Sequence, residues 1–69
     1  MLKEHDVVAL TVDRPQEGLA AGDVGAVVHC YPDGSTFEVE FIDDHGRSRG
    51  VVTLTSSSLF KLNLISLPA

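Results

Sequence analysis

The chain contains few cysteine and aromatic residues, which cross-link or fill the cores of many small proteins. Its 69 residues include one cysteine, Cys30, no tryptophan and only 6% aromatic residues. A single cysteine excludes an intrachain disulfide and points to a reducing compartment. We expect Cys30 to be a small buried hydrophobe rather than a reactive thiol. A domain of this size buries only about 60% of the surface that its unfolded chain exposes, so its stability is marginal.

Positive charge is also scarce, since five basic residues face ten acidic ones and the net charge is −5. This balance gives little attraction for phosphate backbones, so nucleic-acid binding is not expected. No apolar run approaches the ~20 residues that a membrane-spanning helix needs. Charged residues at 3–6 also replace the apolar segment of a secretory signal. We therefore expect a cytoplasmic protein without membrane contact.

Motifs for catalysis are missing as well. The three histidines, His5, His29 and His45, fall in different segments, and no nucleophile motif or phosphate-binding glycine pattern accompanies them. The run Asp43-Asp44-His45 offers three potential metal ligands, but an ordinary solvated turn requires the same residue types. The sequence therefore predicts no catalytic residue, no cofactor and no metal site.

The chain does contain short runs of alternating apolar and polar residues, which are typical of β-strands. The clearest lies at 37–41, where the apolar set Phe37, Val39 and Phe41 alternates with glutamates. Similar runs predict four further strands at 6–12, 24–31, 48–54 and 60–64. We expect the inward side chains to include all three phenylalanines together with Val8, Leu10, Val12, Val52 and Leu54.

Glycine, proline and aspartate separate these runs. Leu19 is the only large apolar residue in the longest connection, 13–23, and we expect it to attach that loop to the core. Gly25 inside the second strand predicts a bulge or the close approach of another backbone. The hydroxyl run at 55–58 predicts a short 3₁₀ turn before the last strand. The glycines predicted to form structural turns are Gly18, Gly22, Gly25, Gly34 and Gly46.

These elements predict one all-β domain, a small and partly open five-stranded barrel over residues 1–64, followed by an apolar tail at 65–69. Three segments carry a further pattern: Gly22-Asp23-x-Gly25-x-Val27-Val28, Tyr31-x-x-Gly34 and Glu38-Val39-Glu40-Phe41. Together they resemble a family of small bacterial proteins, frequent in cyanobacteria, that is catalogued only as a domain of unknown function.

The resemblance covers roughly residues 2–62 and implies an SH3-like barrel, without an activity, cofactor or binding residue to carry over. The segment 22–28 also resembles the KOW motif of ribosomal and transcription-elongation proteins. The KOW hairpin uses flanking Lys and Arg on nucleic acid, and this chain has Asp23, Asp33 and Glu38 in that neighbourhood instead. The similarity therefore concerns the fold and not the function.

The C-terminal segment holds six large apolar side chains within residues 59–67. The interior of so small a barrel has room for Leu59 or Phe60, with Leu62 and Leu64, but not for all six. We expect the surplus to form an exposed patch, and such patches mark interfaces. An alternative is that the tail folds back over the open end of the barrel. The predicted interface residues are Phe60, Leu62, Leu64, Ile65 and Leu67.

These observations predict a non-enzymatic module that binds protein, either a second copy of itself or the product of a neighbouring gene. One alternative is an acidic module of immunity or antitoxin type that masks a basic partner. Another is a KOW-like module in which Arg47, Arg49 and Lys61 contact phosphates. The two arginines can instead pair with Glu38 or Glu40 across a hairpin, and the sequence leaves this choice open.

Overall fold

The computed structural model of the protein describes residues 2–63, and all five strands in that range join one antiparallel sheet. Two 3₁₀ turns accompany the strands, one at Pro15–Glu17 and one at Ser56–Ser58. The strand order across the sheet is β4-β3-β2-β1-β5. The strands are β1 Val7–Leu10, β2 Val24–Cys30, β3 Thr36–Ile42, β4 Ser48–Thr55 and β5 Leu59–Lys61.

The predicted all-β class, the five strands and the 3₁₀ turn before the last strand are confirmed. The sheet is not closed, because β4 and β5 each have one strand neighbour among residues 2–63. The other 3₁₀ turn, Pro15–Glu17, lies in the longest connection, where Pro15 fixes the backbone angle of the first turn position. The predicted tail at 65–69 lies outside the described residues.

The core forms on one face of this sheet, and β3 supplies its centre. Phe37, Val39 and Phe41 are all buried, because alternate residues of a strand point to the same face. Leu19 is 5% exposed and attaches the long connection to this core, as predicted. The full set of buried apolar residues is Val8, Leu10, Leu19, Val27, Phe37, Val39, Phe41, Leu54 and Leu59.

Two residues that were expected in the core lie outside it. Val12 is 43% exposed because β1 ends at Leu10, after which the backbone N–H of Thr11 donates to Ser58. Phe60 is 59% exposed because Leu59 takes the core-facing position opposite Leu10.

Two smaller expectations also need adjustment. Cys30 is only partly buried: it packs at the margin of the core, with its Sγ 4.0 Å from the carbonyl oxygen of Leu2. Val52 is likewise half-buried against the core rather than inside it.

Gly25 lies within β2 and not in a turn, and it marks the expected close approach. A Cβ built on Gly25 would lie 2.6 Å from the carbonyl oxygen of Glu40 and 2.9 Å from Val39 Cγ1. The bulge in β2 lies further along, where the register against β3 shifts between Val27 and His29. The other four structural glycines, Gly18, Gly22, Gly34 and Gly46, have positive φ angles in the connections between strands.

Candidate interaction surface

The face of the sheet opposite the core carries a row of apolar side chains. Ala9 in the middle of β1 lies directly opposite Val24 of β2 and Phe60 of β5. Directly opposed residues of antiparallel strands point to the same side, and Val8 and Leu10 already face the core. The three side chains therefore line up on the outer face, where Phe60 is 59% and Val24 is 37% exposed.

A second apolar row runs beside the first. Val7 lies opposite Ala26, and both are half-buried on the outer face. The row then meets Glu40 of β3 and the exposed Val51 of β4. We call the part of the two rows that lies on β1, β2 and β5 the apolar stripe; it consists of Val7, Ala9, Val24, Ala26 and Phe60.

The apolar stripe ends at an unpaired strand edge. Within residues 2–63, β5 pairs only with β1. The N–H of Leu62 donates to the carbonyl of Val7, and the N–H of Thr11 donates to the carbonyl of Ser58. The backbone N–H and C=O groups of the even-numbered residues 58–62 therefore point toward β1. The backbone N–H and C=O of Lys61 therefore point away from the sheet. The N–H of Leu59 is already used, since it donates to the carbonyl of Ser56.

The charge of Lys61 at this edge has a partner inside the chain, a carboxylate that Lys3 also contacts. Lys61 Nζ lies 3.7 Å from a carboxylate oxygen of Asp6, whose side chain is 9% exposed. The backbone N–H of Lys3 donates to the same carboxylate at 2.9 Å. This hydrogen bond, followed by the charges of Lys3 and Lys61, lowers the pKa of Asp6, while its partial burial acts in the opposite direction. Asp6 is therefore ionised and offsets the charge of Lys61.

A polar cluster bounds the stripe at the far end of the outer face. Glu38 lies opposite His29 and Thr53, accepts a hydrogen bond from the Tyr31 hydroxyl, and has its carboxylate oxygens 2.9 and 2.8 Å from Thr53 Oγ1. The rings of Tyr31 and His29 pack edge to face at 4.7 Å. The hydrogen bond from Tyr31 lowers the pKa of Glu38 and raises that of Tyr31. Because Glu38, Tyr31 and Thr53 are hydrogen-bonded to one another, the cluster is better explained as a structural feature than as a binding site.

One interpretation of the sequence paired Arg47 and Arg49 with Glu38 or Glu40. The structure shows other partners for both arginines. The register between β3 and β4 shifts after Phe41, which leaves Arg49 outside the ladder. Its guanidinium reaches the long connection instead, 3.0 Å from Asp23 and 2.6 Å from the carbonyl oxygen of Gly18. Arg47 lies 3.3 Å from Asp43 in its own hairpin.

Arg47, Arg49 and Lys61 thus each contact a different aspartate, so these contacts do not join them into one basic surface. Hydrogen bonding from the backbone N–H of Ala20, followed by the Arg49 side chain, lowers the pKa of Asp23. The ion pair therefore persists at neutral pH and holds the long connection against β4.

The run Asp43-Asp44-His45 forms a hydrogen-bonded turn. Asp43 Oδ1 accepts from the backbone N–H of His45 at 2.8 Å and of Arg47 at 2.9 Å. These two hydrogen bonds explain why the turn contains an aspartate at this position. Among residues 2–63 no three His, Cys, Asp or Glu side chains are grouped so that they could hold a metal ion.

A cleft of about 410 Å³ opens elsewhere, at the end of the sheet near Lys61. Its apolar walls come from Leu2, Phe37 and Leu59. Lys61 also contacts Asp6, so the cationic group at this cleft already has a partner. The cleft therefore presents no set of convergent polar groups of the kind that fixes a small ligand.

Two of the predicted interface residues fall in the described part of the chain. Phe60 projects from the outer face, and Leu62 is half-buried beside it. Leu64, Ile65 and Leu67 lie outside the described residues. In residues 2–63 there is no helix with the length and apolar character needed to cross a bilayer.

The comparisons with curated proteins and with solved structures found no match. One family model matches residues 4–61, and its description is Domain of unknown function (DUF4926). The match includes every strand of the sheet and both rows of the apolar stripe. On this evidence the chain belongs to the DUF4926 family.

Proposed function

We propose that the protein is a non-enzymatic binding module that assembles with a second copy of itself through the apolar stripe and β5. The observation that carries the proposal is the position of Phe60, which is 59% exposed and continuous with Ala9 and Val24. It lies on β5, an edge strand of the sheet that residues 2–63 form. Burying one such side chain contributes about 1.5–3 kcal/mol. Exposed apolar patches of this kind are typical of protein interfaces.

The size of the molecule sets how much surface the contact needs. A stable interface buries about 800 Å² on each partner. The whole molecule exposes 4673 Å², so such a contact would cover about a sixth of it. Five mostly small side chains do not supply that area alone. The proposed interface therefore also includes Leu62, Leu64, Ile65 and Leu67.

Sedimentation velocity of the purified chain at about 10 µM tests the proposal, because a dimer with micromolar affinity is well populated there. We expect a dimer for the wild type and a monomer for Phe60→Ser. Val51→Ser is the matched control, because Val51 is 54% exposed on the outer face but lies on β4, beyond Glu40. It should remain a dimer. A wild-type chain that sediments as a monomer contradicts the proposal.

The C-terminal residues allow a second test. Deleting residues 65–69 should weaken the dimer while the circular dichroism of the sheet stays unchanged, because the proposal assigns Ile65 and Leu67 to the interface and not to the core. If the deletion leaves the dissociation constant of the dimer unchanged, Ile65 and Leu67 are not part of the interface.

The same surface fits a protein partner encoded nearby, and an added partner would compete with self-assembly for Phe60. We place the module in the cytoplasm, where a free thiol such as that of Cys30 stays reduced. The carboxylate contacts of Arg47, Arg49 and Lys61 favour protein over nucleic acid as the partner.

A further inference from the structure

We infer that the two copies join edge to edge, with β5 of one chain antiparallel to β5 of the other and Lys61 at the two-fold axis. This inference rests on the proposed self-assembly and adds its geometry. The result is one continuous ten-stranded sheet, five strands from each copy. The juxtaposition that carries it is a backbone edge at Lys61, without a strand partner among residues 2–63, next to the exposed Phe60.

The backbone groups favour a register centred on Lys61 over one centred on Phe60. The N–H and C=O of Lys61 face away from β1, so two copies can exchange both hydrogen bonds at this residue. The carbonyl of Leu59 then meets the N–H of Asn63 from the other chain. A register shifted to place Phe60 on the axis would require the N–H of Leu59, which already donates to Ser56. The arrangement centred on Lys61 leaves fewer edge groups unpaired.

Side-chain placement agrees with this register. With Lys61 on the axis, Phe60 of one copy lies opposite Leu62 of the other, and both belong to the outer face of their own chain. The apolar stripe therefore runs without interruption across the junction. A symmetric contact of this type uses the same patch on both subunits, so it closes as a dimer and does not grow into a filament.

The charge of Lys61 is partly offset within each chain. Two lysines opposite each other on antiparallel strands would repel in isolation. Each Lys61, however, lies 3.7 Å from the Asp6 carboxylate of its own chain, which Lys3 Nζ also contacts at 3.3 Å, so the carboxylate reduces this repulsion without cancelling it. Since the whole chain has a net charge of −5, two acidic copies repel each other less at an edge where two lysines lie beside one carboxylate.

The other sheet edge is less suitable for pairing. β4 carries a register shift at Arg49, next to Gly50 with a φ of 125°. Bulges of this kind bend and twist an edge strand and are a common protection against edge pairing. A contact between β5 and β4 of another copy would also be head-to-tail, which gives rings or open chains and no closed pair.

Cysteine cross-linking tests the geometry. In a Cys30→Ser background, Lys61→Cys should form a disulfide-linked dimer on mild oxidation, because the two positions meet at the axis. Val51→Cys in the same background is the control and should give little cross-linked dimer. Lys61→Pro should abolish assembly while keeping the sheet, because the N–H that it removes makes no bond to β1.

The outcomes separate the inference from the proposed function. If the wild type is a dimer but Lys61→Cys fails to cross-link faster than Val51→Cys, the edge pairing is wrong and the self-assembly stands. A monomeric wild type overturns both. If Lys61→Pro does not fold, the cross-linking comparison still decides the geometry.

Discussion

Gly25 offers the sharpest test of how tightly β2 packs on β3. A Cβ at this position would lie 2.6 Å from the carbonyl oxygen of Glu40, 2.9 Å from Val39 Cγ1 and 3.1 Å from Phe41 Cδ1. An ordinary contact begins near 3.4 Å, so the Glu40 carbonyl would have to retreat by 3.4 − 2.6, or about 0.8 Å. That carbonyl belongs to the central strand of the ladder, where its neighbours resist the shift.

The expected cost of Gly25→Ala follows from two opposing effects. Forcing an extra carbon into a packed site costs about 1–3 kcal/mol, and the backbone contact puts this site near the upper end. Replacing glycine also restricts the unfolded chain, which returns about 0.4–1 kcal/mol. We expect a net loss of about 2 kcal/mol. A chain of 69 residues has a free energy of unfolding of about 3–10 kcal/mol, so the loss is a large fraction.

Urea unfolding followed by circular dichroism measures this loss, and two further variants identify its cause. Gly34→Ala is the control, since a Cβ there meets nothing within 4 Å and only the φ of 76° opposes it. It should cost about 1 kcal/mol. Adding Val39→Ala to Gly25→Ala should recover little of the lost free energy of unfolding, because the contact with the Glu40 backbone remains. A Gly25→Ala chain within about 0.5 kcal/mol of the wild type would refute the reasoning.

Three other perturbations probe the core, the long connection and the acid response. Phe41→Ala should cost about 3–5 kcal/mol in urea unfolding, against less than about 1 kcal/mol for Phe60→Ala at monomer concentrations. Arg49→Ala should speed hydrogen exchange in residues 14–23 without changing that of β3, because it frees Asp23 and Gly18. Hydrogen bonds from Thr36 and Ser35 lower the pKa of Asp33 from 3.8, so its stabilisation is complete above that value and is lost as the pH falls through the folded pKa. Asp33→Asn should therefore lose less melting temperature between pH 7 and about pH 3 than the wild type does, and an equal loss would contradict this assignment.

The sequence was informative wherever one strand face was apolar and the other polar. Phe37, Val39 and Phe41 alternate with charged or polar neighbours, so their burial followed from the pattern alone. The segment 59–62 has large apolar residues on both faces, and its pattern could not choose between Leu59 and Phe60. Leu59 faces the core because it lies opposite Leu10, and this pairing depends on the register of two strands that are far apart in the chain.

The apolar stripe was missed for the same reason. Its outer row joins Ala9, Val24 and Phe60, which come from three different strands and share no local motif. The assignment of Arg49 also failed on register, because a one-residue shift after Phe41 carried its side chain from the hairpin to the long connection. Both features required knowledge of the strand pairing, which alternation within a single segment does not contain.

The acidic composition, which suggested a basic partner, has an explanation inside the fold. Asp6, Asp13, Asp23, Asp33 and Asp43 each accept a hydrogen bond from a backbone N–H, which is the task of aspartate in a tight turn. The excess of negative charge thus follows from the turns and does not by itself call for a ligand. Phe60 makes no comparable contribution to the core of residues 2–63. This contrast is why we propose that the apolar stripe, and not the acidic groups, forms the binding surface.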